Sequence, residues 1–138
     1  MDIFLENFFN VDSLIQIYPL LVQGLELTLL LAIVTLPLAV LCGLLIAILY
    51  SFHIRWLNIL LLIYVDVLRS FPVIVLLVLI FYGLPFLGLK LGSFAAVVMA
   101  ITVNNSGYYG EILRAGVESV PKGQREAAHA LGFGPIRT

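Results

Sequence analysis

Ser119-Val120-Pro121-Lys122-Gly123-Gln124-Arg125-Glu126-Ala127-Ala128-His129-Ala130-Leu131-Gly132 is the one polar, helix-prone segment of any length in an otherwise apolar chain. Ser119 is placed to cap a helix, Pro121 fits a first turn, and Glu126 lies early enough for the positive end of the helix dipole to favour its charge. Gly132, Gly134 and Pro135 are the stop signals. The roughly ten residues between them are too few to hold a helix alone in water, so the segment needs a surface to lean on. Gln124, Ala127, Ala128 and Leu131 fall on one face at helical spacing, with Arg125, Glu126 and His129 largely elsewhere. Small residues on that face allow close approach by a partner. An ordinary alanine-rich surface helix would show the same pattern, so both readings stand at this point.

Around this segment, 62% of the 138 residues are hydrophobic and only 11% charged, and mean hydropathy is +1.15. That composition describes a membrane protein of one domain. The net charge of −1 conceals an uneven layout. Asp2, Glu6 and Asp12 open the chain, whereas Arg114, Lys122, Arg125 and Arg137 gather at its end, which bears on topology and not on nucleic acid. The single cysteine, Cys42, lies in an apolar run, where packing suits it and no intrachain disulfide is open to it. No metal-ligand cluster, nucleophile–base pair or phosphate-cradling Gly-Lys-Ser/Thr loop is present, so neither catalysis, a metal nor a bound cofactor is expected. The acidic start lacks the pattern of a cleaved signal peptide, so the first apolar run is expected to stay.

Residues 1–18 read as an external segment on the membrane surface. A first crossing is expected at about 20–50, longer than the roughly 20 residues a hydrocarbon core needs, hence tilted or overhanging, with a kink at Pro37. Glu26 reads as an end-of-helix residue near the headgroups or as part of a solute path. His53 and Arg55 place the following turn inside, which leaves the N-terminus outside. Asp66, Arg69 and Pro72 then break a run too long for one upright helix: an interfacial helix at about 57–68 and a second crossing at about 72–86 are predicted. Asp66 and Arg69, three apart, can pair on one helix face. A third crossing at about 93–115 carries Asn104, Asn105 and Ser106 midway, which must face other helices or a wet cavity; helix-to-helix contacts and a translocation path are both open. Glu111 and Arg114 form a second three-residue charge spacing near its inner end. Residues 117–138, including the quoted segment at about 119–134, come out cytoplasmic.

Gly123-Gln124-Arg125-Glu126-Ala127-Ala128-His129-Ala130-Leu131-Gly132 resembles the Gly-Gln-x-Glu-Ala-Ala-x-x-x-Gly signature of permease subunits of ATP-binding cassette importers. Three more pieces match in family order. Gly24-Leu25-Glu26-Leu27-Thr28-Leu29 resembles the Gly-x-x-x-Thr-Leu opening of amino-acid permeases. Tyr64-Val65-Asp66-Val67-Leu68-Arg69-Ser70-Phe71-Pro72 resembles their Tyr-x-Glu-x-x-Arg-Gly-x-Pro segment, with Asp for Glu and Ser for Gly. Gly107-Tyr108-Tyr109-Gly110-Glu111-Ile112-Leu113-Arg114-Ala115-Gly116 resembles the Ala-Tyr-x-x-Glu-x-x-Arg-Gly/Ala-Gly run that leads into the loop.

The resemblance implies an all-α, polytopic membrane subunit, a partial type I importer transmembrane domain over residues 19–138, in the inner membrane of a prokaryote. It implies a cytoplasmic coupling helix whose docking residues are Gly123, Gln124, Glu126, Ala127, Ala128 and Gly132. It implies as partners a cytoplasmic ATPase that binds the ATP, a second permease subunit, equal or different, an external solute-binding protein, and a polar amino acid as solute. Family members continue past the loop through an Ile-x-Leu-Pro element and further helices, whereas the sequence stops at Thr138, so a truncated permease is expected. The rival readings are a non-transporting protein that occupies the ATPase or partner permease, and a permease for another small solute.

Overall fold

The computed structural model of the chain describes residues 11–134. The acidic opening with Asp2 and Glu6, the Pro135 stop and Arg137 lie outside the described residues. Among those described, the regular structure is all helical: α1 (Val11–Ser51), α2 (Arg55–Ser70), α3 (Val73–Val78), a π turn (Leu79–Gly83), a 3₁₀ turn (Leu84–Leu87), α4 (Ser93–Glu118) and α5 (Lys122–Ala130). The chain divides into two compact units, 1–34 and 35–138.

The first unit contributes the opening part of α1. Much of its surface is apolar, with Leu20, Leu21, Leu25, Leu29 and Ile33 exposed, and it is interrupted by exposed Gln16, Gln23 and Glu26. Thr28 hides its hydroxyl by donating to Gly24 O at 2.8 Å within the same helix. α1 as a whole has 41 residues, about twice the roughly 20 that a hydrocarbon core needs. It runs on as helix through Pro37.

The second unit is built on α4. Its buried residues are small ones: Ala96 and Ala100 on α4, Ala39 and Thr35 on the last part of α1, with Val65 and Leu68 from α2. Small side chains let backbones come close, which is how helices gain packing energy where hydrophobic exclusion from water contributes little. The closest approach is at Gly43 and Gly110. A Cβ on Gly43 would stand 2.5 Å from Tyr109 Cβ and 2.8 Å from the Gly110 nitrogen, and one on Gly110 would stand 2.9 Å from Ile46 Cγ2. Nothing larger than hydrogen fits there.

The three crossings expected at 20–50, 72–86 and 93–115 take a less uniform form. Among the described residues, only the helix Ser13–Ser51 is long and apolar enough to cross by itself. α2 and the segment Val73–Leu87 reach that standard only together, and they are bent by 99° where they meet. The segment 73–87 is a relay of α, π and 3₁₀ turns, because Pro85 has no amide hydrogen to continue an α-helical ladder. It ends at Gly88, left-handed at φ 83°; there Gly88 N donates to Pro85 O and Leu89 N to Leu84 O, the closure a left-handed glycine permits. α4 has the length, 26 residues, but Asn104, Asn105 and Ser106 dilute its hydropathy.

Ser119 does not cap α5. Its hydroxyl donates back to Gly116 O at 2.7 Å and its amide to Ala115 O, so it closes α4. Pro121 is the N-cap residue of α5 and offers no side-chain bond. A Ser two residues ahead of Pro121 is taken by the preceding helix, whose last carbonyls need donors. At the other end the stop is as the sequence requires: Gly132 has φ 83°, its amide reaches His129 O, and Phe133 N reaches Ala128 O.

Candidate functional site

Three groups of residues are candidates for a functional site, two of them polar clusters on α4. The first is at the break before Pro72. Residue 72 of an unbroken helix would donate its amide to Leu68 O, and proline has none to give. Asn104 replaces it: its Nδ2 donates to Leu68 O at 3.0 Å and to Phe71 O at 3.2 Å, and the residue is only 7% exposed. One turn on, Tyr108 Oη donates to Arg69 O at 3.4 Å. Tyr64 Oη and Ser106 Oγ lie 3.4 Å apart, and Ser106 also donates to Val103 O at 2.7 Å. A buried carbonyl left without a donor costs on the order of 1–3 kcal/mol, so these bonds are what makes the broken helix tolerable. Asn104 and Ser106 are thus seated as helix-to-helix contacts, whereas half-buried Asn105 has no hydrogen-bond partner of that kind among the described residues.

The expected Asp66–Arg69 ion pair is not formed. The Arg69 guanidinium lies over the Tyr108 ring, 5.3 Å from its centre, and the ion pairs among the described residues are those of Arg114. Three-residue spacing permits the pair, but Tyr108 on α4 offers Arg69 a face that the sequence alone could not place there.

The second group centres on Arg114. It meets both carboxylate oxygens of Glu111, with Nε 3.1 Å from Oε2 and Nη2 on Oε1, and Nη1 lies 2.7 Å from Glu118 Oε2. Its guanidinium also covers the Tyr50 ring at 5.1 Å. The Glu111–Arg114 spacing therefore does close into a pair. Glu118 and Tyr50 were missed; the four-residue step from 114 to 118 was a usable signal, but nothing local points to Tyr50, sixty-odd residues away in sequence. A small cleft beside this cluster is lined by Ile46, Tyr50, Val65, Gly110, Glu111 and Arg114.

The third group is α5 itself. Gly123, Gln124, Glu126 and Ala127 are exposed, Ala128 is half-buried, and Leu131 is 78% exposed at the end of the same face. A Cβ at Gly123 or Gly132 would meet nothing within 4 Å. Among the described residues, the face of small residues that the sequence marks out is therefore largely uncovered, and it ends in an exposed leucine.

One long apolar helix, a sharply broken helical pair and a short amphipathic rod, all helical among the described residues, are the features of a helical membrane protein. Residues 36–138 match the family of binding-protein-dependent transport system inner membrane components, and the chain belongs to that family. It is similar to the probable amino-acid ABC transporter permease protein YckA of Bacillus subtilis strain 168, with 30% identity over 93% of this chain and 57% of the relative. It is 33% identical to the arginine transport system permease protein ArtQ of the same organism, over 83% of this chain and 52% of that one. To the glutamine transport system permease protein GlnP of Escherichia coli K12 it is 33% identical, over 91% and 58% respectively. Among solved structures it superposes on a chain from the crystal structure of an amino acid ABC transporter with histidines, with a TM-score of 0.81 and 37% identity, covering 90% of this chain and 58% of that one. The family resemblance carried by the four motifs is thereby borne out. The chain spans somewhat over half the length of the relatives it matches.

Proposed function

We propose that this chain forms the membrane-embedded part of an ATP-driven importer of polar amino acids. Residues 20–50, 55–87 and 93–115 enter the bilayer, with the N-terminus outside and residues 117–138 in the cytoplasm, as the basic residues around Arg55 and Lys122 favour. α5 is the coupling helix. Gly123, Gln124, Ala127, Ala128 and Gly132 let a cytoplasmic ATPase come close, and Glu126 supplies a charge for it to meet. ATP is held by that partner and not by this chain. A second permease subunit completes the path, an external binding protein delivers the solute, and Asn105 and Glu111 border the route.

The observation that carries this reading is the uncovered face of α5, ending at Leu131, in a chain whose relatives are amino-acid permeases. The mechanical outline follows. When ATP draws two ATPases together, each pulls a coupling helix, and the attached helices rock about the bilayer midplane as rigid bodies.

The test uses Cys42→Ala as background and a single cysteine at Ala127, co-expressed with an ATP-binding cassette ATPase of an amino-acid importer that carries one surface cysteine. A disulfide to the ATPase that strengthens or weakens when ATP is added supports the reading, together with labelling of Glu126→Cys only after the membrane is permeabilised. Labelling of Glu126→Cys from outside intact cells would end it.

A further inference from the structure

Proline inside a run of helix usually marks a hinge. Here the surroundings of Pro72 point the other way. The carbonyl that Pro72 deprives of a donor, Leu68 O, and the carbonyl of the peptide that joins Phe71 to Pro72, Phe71 O, are held by one amide group on another helix, Asn104 Nδ2 at 3.0 and 3.2 Å. Tyr108 reaches the carbonyl between them, Arg69 O. Gly107 lies between Asn104 and Tyr108 and brings α4 against the end of α2, since even an added Cβ would stand only 3.6–3.7 Å from Arg69 Cγ, Val65 O and Leu68 Cβ.

We infer that Asn104 is a positioning residue that converts the Pro72 break from a hinge into a fixed bend, so that residues 55–87 and α4 move as one body. Asp66 and Arg69, on the last turn of α2, are then carried at a constant place relative to α4. Only the transport consequence rests on the importer reading: a pull on α5 reaches the Pro72 bend through α4 without being lost to flexing.

The physical claim is tested without transport. Spin labels are placed at Leu60 and Phe86, 64% and 91% exposed on either side of the bend, in a Cys42→Ala chain reconstituted into lipid vesicles. The parent should give one narrow distance distribution, and Asn104→Leu one at least twofold broader. In a Pro72→Ala background, where residue 72 regains an amide hydrogen for Leu68 O, adding Asn104→Leu should change the width little. Equal broadening in both backgrounds, or none in either, overturns the inference, because an Asn104 that merely fills space would not be coupled to residue 72. Should Asn104→Leu fail to accumulate, Pro72→Ala with and without it should accumulate equally; loss of the double variant alone overturns it. Uptake measured in parallel separates the two readings. A broadened bend in a chain without ATP-dependent uptake sinks the importer and leaves the lock, and an unbroadened bend in a transporting chain does the reverse.

Discussion

Two pairs of glycines occupy opposite situations. Gly43 and Gly110 sit where α1 and α4 touch, with no room for a methyl group. Gly123 and Gly132 flank the core of α5 with open space around each. The first pair is explained within the chain, because a glycine–glycine crossing is how two helices approach to backbone contact. The second pair meets no such crowding, and the difference separates glycines that packing requires from glycines that stand on an open surface, which the importer reading assigns to a partner. Gly132 adds a second reason of its own, since its φ of 83° is a conformation that side chains with a Cβ adopt at a cost.

The contrast can be broken most severely at Gly43. Gly43→Leu should destabilise the second unit by about 3 kcal/mol or more, the upper end for overpacking, read as loss of the folded fraction in an unfolding titration in detergent. If Gly43→Leu is as stable as the parent, the crossing is not the one described. Next comes Arg114→Met, which strips both Glu111 and Glu118 of their cation and uncovers Tyr50. Because the group is partly exposed, about 1–2 kcal/mol is expected by the same titration. Gly132→Val should cost about 1–2 kcal/mol from the left-handed backbone, but its larger consequence is functional: ATP hydrolysis uncoupled from uptake at a normal membrane level. Normal uptake at normal level would remove Gly132 from the docking set. The smallest effect belongs to Asp66→Asn, an exposed carboxylate without an ion-pair partner among the described residues, which should shift stability by less than about 0.5 kcal/mol; a large loss would mean that it is paired after all.

The helical class, the break at Pro72 and the terminal rod were legible because each is written in local chemistry. Continuous apolar runs cannot be anything but buried or membrane helices at that length, Pro72 has no amide hydrogen, and Gly132 permits a left-handed residue. Errors arose where local spacing admitted two partners. Ser119 could serve the helix before it or the one after, and the unsatisfied carbonyls of α4 took it. Arg69 could turn to Asp66 or to an aromatic ring, and the ring of Tyr108 was there. The segment expected as a second crossing at 72–86 is helical but of three kinds in succession, since Pro85 adds a second missing donor that hydropathy does not count.

By itself, the sequence determined that this is a helical membrane chain with an amphipathic segment near Glu126, since hydropathy, proline and glycine act through the residue that carries them. Only the tertiary structure decided that Asn104 answers the carbonyls freed at Pro72, that Gly43 meets Gly110, and that Arg114 covers Tyr50. Each of those joins residues far apart in the chain, and a donor's partner is fixed by which backbones come within hydrogen-bond reach, a property of the packed helices rather than of any one of them.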